Sequence, residues 1–246
     1  MFNGLNWLHK TLNLCNPCDS HMVRTVKEAA KRVLSKPVVK KEPMSPYNLK
    51  RLVTKLKHNT DLLKMRTLTL ALVSYAGFLR YDEASRIRRS DIVFERGYMK
   101  IFIEWSKVDK YRKGAWVYVA RTCKRTCPYY TLREYLYIAN IPDDSSEFIF
   151  RGCTRRASGL TLKGKTPLSY TRARETILEA IASIGLNRKR FGLHSFRRGG
   201  ATHSARLGVK DRLFKKHGRW RSENAKDGYI SEDLNAILSV TKHLGI

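Results

Sequence analysis

Apolar and polar positions alternate with little order up to about residue 36, where only 26–34 has the spacing of a short basic helix. Residues 36–46 (KPVVKKEPMSP) carry three prolines among several lysines and read as a linker. From Ser45 the pattern becomes regular. Ser45 suits a helix cap, Pro46 the first turn, and Leu49, Leu52, Val53 and Leu56 repeat on one helical face. A strongly apolar helix is predicted over 61–79, capped by Thr60 or Asp61, so that Arg80 follows the end of a rigid element. A short helical turn near 83–88 gives way to strand-like alternation over 92–95, 98–105 and 115–120, with Arg96-Gly97 as the first turn and 107–114 as a longer charged hairpin tip. Further helices are predicted from Pro128, from the Ser169 cap to Gly185, over 195–207 and 211–217, and on both sides of Tyr229, the last carrying Leu234, Ile237 and Leu238. Residues 148–150 read as a short buried segment. The expected fold is α+β: a mainly helical domain over 45–246 with one small three-stranded antiparallel sheet, preceded by an incomplete N-terminal segment and linker over 1–44.

Composition adds a partner to this outline. With 42% hydrophobic residues the chain can bury a core. Its 49 Lys and Arg against 21 Asp and Glu leave a net charge of +28, which points to a polyanion, nucleic acid first. No apolar run approaches the length of a membrane span and no signal peptide is evident, so a soluble intracellular protein is expected. Five cysteines, an odd number, argue for reduced thiols. Cys15 and Cys18, with His9 and His21 beside them, have the inventory of a zinc knuckle; isolated thiols in a poorly ordered leader are the plainer reading.

Two chemistries are set aside on motif context. Residues 159–166 (GLTLKGKT) satisfy the P-loop pattern, yet Pro167 follows at once where a helix should begin. HExxH and GxSxG are absent, and the acidic residues form no obvious cluster for a two-metal nuclease. The stretch 192–229 has more to offer. His194 and Arg197 lie three apart, Trp220 follows 23 residues on, and Tyr229 nine beyond it. Permanent cations, hydrogen-bond donors and a nucleophilic hydroxyl suit phosphoryl chemistry without a metal. Taken singly, Arg80 is a helix-end cation, Glu83 its ion-pair partner, Lys107 a turn residue and His194 a helix-start hydrogen-bonder; His217 reads as an ordinary helix-end residue. In sequence order, Arg80 in GFLRYDEA, Lys107 in WSKVDKYRKG, His194 and Arg197 in HSFRRGGAT, Trp220 in HGRW and Tyr229 in KDGYI form a set.

That set resembles the tyrosine recombinase (phage integrase) superfamily over residues 45–246. The wording of HSFRRGGAT, SKVDKYRKG and HGRW is most similar to eukaryotic mobile-element recombinases of the DIRS and Crypton type. The resemblance implies a site-specific recombinase or integrase that cleaves and rejoins DNA through a 3′-phosphotyrosine link, without metal or ATP. It makes Tyr229 the nucleophile, Arg80 and Arg197 the phosphate-binding forks, His194 its assistant, Trp220 a phosphate donor in the position often filled by His, and Lys107 the general acid, with Lys110 and Lys113 as neighbouring candidates. Glu83 is expected to orient Arg80 or His194. Double-stranded DNA, a homotetramer joined through the C-terminal helix and, for a eukaryotic element, a nuclear location follow from the same likeness. Residues 1–44 would be the remnant of the helical domain that closes around DNA in relatives. The competing expectation is a DNA-binding protein descended from such an enzyme and no longer catalytic; a type IB topoisomerase would share the chemistry.

Overall fold

The computed structural model describes residues 2–36, 39–57, 61–106, 109, 111–157, 159–231 and 238, and these fall into two compact units, 1–40 and 41–246. The first unit is two helices, α1 (Phe2–Thr11) and α2 (His21–Leu34), joined through a 3₁₀ turn at Pro17–Asp19. The leader is therefore helical, not poorly ordered. Its turn is fixed by Asn16, whose side chain accepts from the Cys18 backbone at 3.1 Å. Cys18 is buried and Cys15 exposed. Among the described residues no group of three or more His, Cys, Asp and Glu is placed to hold a metal.

The second unit begins at Lys41, four residues before the expected boundary. The reason is local. Glu42 N donates to the Arg190 carbonyl at 2.8 Å and Met44 N to that of Ser195 at 2.8 Å, which ties the end of the linker to the unit's last third and buries Met44. The elements that follow are α3 (Pro46–Leu56), α4 (Leu62–Ala76), α5 (Tyr81–Ser85), β1 (Ile92–Phe94), β2 (Tyr98–Ile103), β3 (Ala115–Ala120), α6 (Pro128–Ile138), β4 (Gly152–Arg156), β5 (Gly159–Lys163), α7 (Tyr170–Ser183), α8 (His194–Arg206), α9 (Asp211–Gly218) and α10 (Glu223–Asp227). This is the expected mainly helical unit with a small antiparallel sheet. β2 is central, pairing Ile101 with Ile92 on β1 and with Val117 on β3.

α4 is the axis of the unit. Asp61 caps it by accepting from Leu63 N at 2.8 Å and Lys64 N at 3.2 Å. Nearly every residue from Leu62 to Ser74 is buried, because the helix serves two cores at once. Met65, Leu70 and Val73 join the inner face of the sheet (Met99, Ile101, Val117, Val119) and α6 (Leu132, Tyr135). Leu68, Ala71 and Leu72 join α3 (Leu52, Val53), α7 (Ile177, Ile181) and Phe196. The helix stops at Ala76, three residues short of the expected end, since Phe78 takes a left-handed backbone with φ 48°. Arg80 consequently opens α5 instead of trailing α4. α8 crosses close to this corner, and the paired glycines of HSFRRGGAT permit it: a Cβ on Gly200 would collide with the Tyr75 carbonyl oxygen.

A second sheet was not expected. β4 and β5 form a hairpin in which Arg156 pairs with Gly159 and Gly152 with Lys163. Most of the P-loop-like stretch is therefore strand, not a phosphate-cradling turn. The hairpin is fastened to α4 through Arg66, a buried side chain that donates to the Arg151 carbonyl at 2.6 Å and to Cys153 Sγ at 3.1 Å. No helix among the described residues is long and apolar enough to cross a membrane.

Candidate active site

The C-terminal corner of α4, the start of α5, the start of α8 and the segment from α9 to Tyr229 meet at one carboxylate. Glu83 lies within α5 with its side chain buried. Its Oε1 takes an ion pair from Arg80 Nη1 at 2.7 Å, and its Oε2 accepts from Arg80 N at 3.0 Å and Arg219 Nη2 at 2.8 Å. Arg197 Nη1 stands 3.6 Å from Oε2. Three guanidinium groups thus share one anion, and the corner keeps two positive charges in excess. Burial by itself would raise the Glu83 carboxyl, but Arg219, Arg197 and Arg80 together hold it below the usual carboxylate range.

Arg197 is the most enclosed of the three. It is fully buried on α8, and it donates to the Phe78 carbonyl and to that of Gly218 at 3.0 Å. Burial, and then the charge of Arg80, push its pKa down to about 10, so it remains a cation at neutral pH. Its guanidinium carbon is 4.6 Å from the Tyr229 ring centroid and 5.2 Å from that of Trp220. Arg80 is half-buried. Desolvation works to lower its pKa, while Glu83 and Tyr229 raise it, and the net direction is up.

Tyr229 follows α10 and packs with His194 (ring centroids 5.1 Å) and Trp220 (5.4 Å). Thr202 of α8 fixes the chain around it: its hydroxyl donates to the Tyr229 carbonyl at 3.3 Å and accepts from Ser231 N at 3.1 Å. Burial, and after it Arg197, Arg80 and Arg198, push the His194 imidazole down to about 4, although one edge of the residue stays exposed. At neutral pH it is uncharged. Trp220 lies in a small apolar cluster with Phe78, Ala201 and Phe214, and its Nε1 is buried without a hydrogen-bond partner among the described residues. Gly218 makes room for that ring, since a Cβ there would clash with it.

Arg80, Glu83, His194, Arg197, Trp220 and Tyr229, widely separated in sequence, therefore converge. Lys107 and Lys110 lie outside the described residues; Lys113, on the same hairpin, is exposed. Residues 234 and 237 of the last expected helix are likewise outside them. His217 takes no part in the cluster: its Nε2 donates to the Ala76 carbonyl at 2.8 Å, which ties α9 to the end of α4. Sequence reasoning missed Arg219. Its guanidinium donates to the carbonyls of Gly77 (3.2 Å), Phe78 (3.1 Å) and His217 (2.9 Å) as well as to Glu83, from a left-handed backbone with φ 57°. The faint signal was its position between Gly218 and Trp220, where the chain must turn sharply.

A mainly helical unit with a small three-stranded antiparallel sheet is the fold of tyrosine recombinase catalytic domains. The sequence model of the phage integrase family matches residues 42–235, and the chain belongs to that family. It is 27% identical over 218 residues to an integrase/recombinase xerD homolog of Selenomonas ruminantium, a match covering 88% of this chain and 62% of that protein. Among solved structures it is similar to the XerH site-specific recombinase bound to palindromic difH substrate in a post-cleavage complex, with a TM-score of 0.64, 17% identity, and coverage of 83% of this chain and 54% of that one. The Tn1549 transposon integrase in complex with transposon right end DNA superposes with a TM-score of 0.63 at 12% identity, covering 100% of this chain and 78% of that one. The chain spans about three fifths of the curated relative and about half of XerH.

Proposed function

We propose that the protein is a site-specific DNA recombinase that breaks and rejoins strands through Tyr229. In this reading Tyr229 Oη attacks a DNA phosphorus, the bond to the 5′ oxygen breaks, and a 3′-phosphotyrosine link forms. The released 5′ hydroxyl takes its proton from Lys107 and can then attack the link on another strand. One phosphoester replaces another at each step, so no external energy source enters the balance. The observation that carries the proposal is the excess of guanidinium over carboxylate at Glu83, beside a tyrosine packed on Arg197 and His194. A phosphate seated there would meet the half-buried Arg80 fork and the charge of Arg197 behind it, with Trp220 Nε1, which has no partner among the described residues, as a further donor to charge that builds on nonbridging oxygens. His194, uncharged beforehand, accepts the Tyr229 proton or bonds a phosphate oxygen, and the incoming negative charge offsets the cations that depress it.

Finer features follow from the resemblance. HSFRRGGAT and HGRW support a mobile-element recombinase of the DIRS or Crypton type, with a nuclear location in a eukaryotic host. Double-stranded DNA is the partner, and the net charge of +28 supports backbone contacts that set affinity more than sequence preference. Exchange between two duplexes takes four active sites, hence a tetramer, with the segment beyond Tyr229 as its joint. The test is a nicked suicide duplex incubated with the full chain in EDTA. A covalent protein–DNA adduct is expected, and Tyr229→Phe removes it. A chain that binds the duplex and yields no adduct is a DNA-binding protein only, and the proposal fails.

A further inference from the structure

One pocket beyond the guanidinium cluster shares a wall with it. Between α5, the end of β2 and residue 148 lies a cavity of about 400 Å³, and Glu83 is among its lining residues. Three half-buried rings, Phe102, Trp105 and Phe148, form other parts of the wall, with Arg86 and Arg112 exposed and Glu104 beside them. The Arg86 guanidinium carbon stands 5.4 Å from the Trp105 ring centroid. Arg88 lies 4.2 Å over Phe148 and donates to the Ser146 carbonyl at 2.8 Å, which fixes that side of the pocket.

The volume falls within the roughly 300–1,000 Å³ range of small-ligand pockets. A phosphate alone would leave the three rings unused, and an apolar peptide would strand the arginines and Glu104. Flat rings combined with guanidinium planes are the groups on which unpaired bases stack. A carboxylate at the edge accepts from the exocyclic amine of adenine or cytosine. A base inside a duplex stack cannot reach such a pocket and must swing out of the helix first.

We propose that this pocket receives one unpaired nucleobase of the strand whose phosphate lies at the Glu83 corner, with Trp105 as its stacking platform and Arg86 and Arg112 at its rim. The inference rests on the strand-transfer reading above and deepens it. Strand exchange requires bases next to the cut to leave their partners. A pocket beside the cleaved phosphate holds one such base, slows resealing of the original strand and gives the second strand time to replace it.

The probes are two nicked duplexes, one with a single unpaired adenine at the 5′ side of the nick and the other with an abasic residue in its place. Affinity of the full chain is read by fluorescence anisotropy. The wild-type chain is expected to bind the adenine probe about tenfold tighter, the size of one base–aromatic stack. Trp105→Ala should erase the preference and Trp105→Phe restore it, with far-UV circular dichroism checking the fold. If Trp105→Ala fails to fold, Arg86→Ala, at an exposed position, decides by weakening the same preference. Equal wild-type affinity for the two probes overturns the proposal, as does a preference that survives both substitutions. An adduct at Tyr229 without discrimination removes the pocket and leaves strand transfer standing. Discrimination without an adduct does the reverse.

Discussion

Two ion clusters flank Tyr229, and their net charges are opposite in sign. At one, a single carboxylate, Glu83, meets three cations, Arg80, Arg197 and Arg219. At the other two lysines meet three carboxylates: Lys226 pairs with Asp211 and Glu223, each at 2.5 Å, and Asp227 at 3.6 Å, and Lys215 pairs with Glu223 at 2.5 Å. The first is buried in the corner of α4, α5 and α8; the second ties α10 to α9 through side chains whose acidic members are largely exposed. A buried excess of positive charge is costly to assemble and persists because backbone carbonyls and Glu83 share the load, so it is ready for an anion before one arrives. An exposed network of the opposite sign repels phosphate and is screened by salt. The one cluster suits receiving an anion and the other suits holding the segment that carries Tyr229.

The largest test removes the anion from the buried cluster. Glu83→Gln leaves three guanidinium groups around a neutral amide, and we expect a loss of about 3–5 kcal/mol of folding stability, the usual cost of unpairing a buried charge. Urea unfolding checks it, and a change within experimental error would show that the carbonyls alone hold the arginines. Arg219→Lys is next. Lysine keeps the charge but cannot serve Glu83 and three carbonyls with one fork, and a loss of about 2 kcal/mol is expected for the unmade bonds. If Arg219 only supports Glu83, the two substitutions combined will cost less than their sum.

What could be read from the chain alone divides along the same line. Helices with one apolar face and strands alternating with period two announced themselves, since each pattern is local. The residues of the corner were recognisable by order and spacing. Their shared anchor was not, because Arg219 reaches Glu83 across 136 positions of sequence and depends on a left-handed turn that no periodicity encodes. The β4–β5 hairpin was hidden for a similar reason. Its half-buried Cys153, Leu160 and Leu162 rest against the core singly, and its glycines also fit a P-loop pattern. The end of α4 was placed late because Gly77 and Phe78 look apolar and continuous, whereas the left-handed Phe78 breaks the helix there.

Acidification probes the buried side more gently. His194 has a folded pKa depressed from 6.5 to about 4. Between those values the unfolded chain binds a proton that the folded one refuses, so the contribution is intact above about pH 6.5 and is lost progressively as pH falls toward 4. His203 and His217 are depressed in the same direction by burial. Thermal unfolding should therefore shift to lower temperature across this window. His194→Asn should flatten part of the slope and leave the part due to the other two, and an unchanged slope would mean that the accessible edge of His194 relieves the field of the arginines.

The smallest effect on stability belongs to the exposed cluster, and there the contrast can be turned against itself. Lys226→Met cuts the ties to Asp211 and Glu223 but touches no core residue, so folding stability should change little. The segment that carries Tyr229 would still be held by Thr202 through the Tyr229 carbonyl and Ser231 N. It would lose one of its two lateral braces on α9, the other being the Lys215–Glu223 pair at 2.5 Å. Adduct formation at low salt should slow severalfold, while affinity for the nicked duplex falls only slightly, since the variant loses one positive charge beside three carboxylates and keeps the buried arginines. Raising the salt should narrow the gap between variant and wild type, since screening weakens the wild-type brace and spares the buried arginines. A variant as unstable as Glu83→Gln, or a rate deficit that does not depend on salt, would place Lys226 in the same structural class as the buried corner and dissolve the distinction between them.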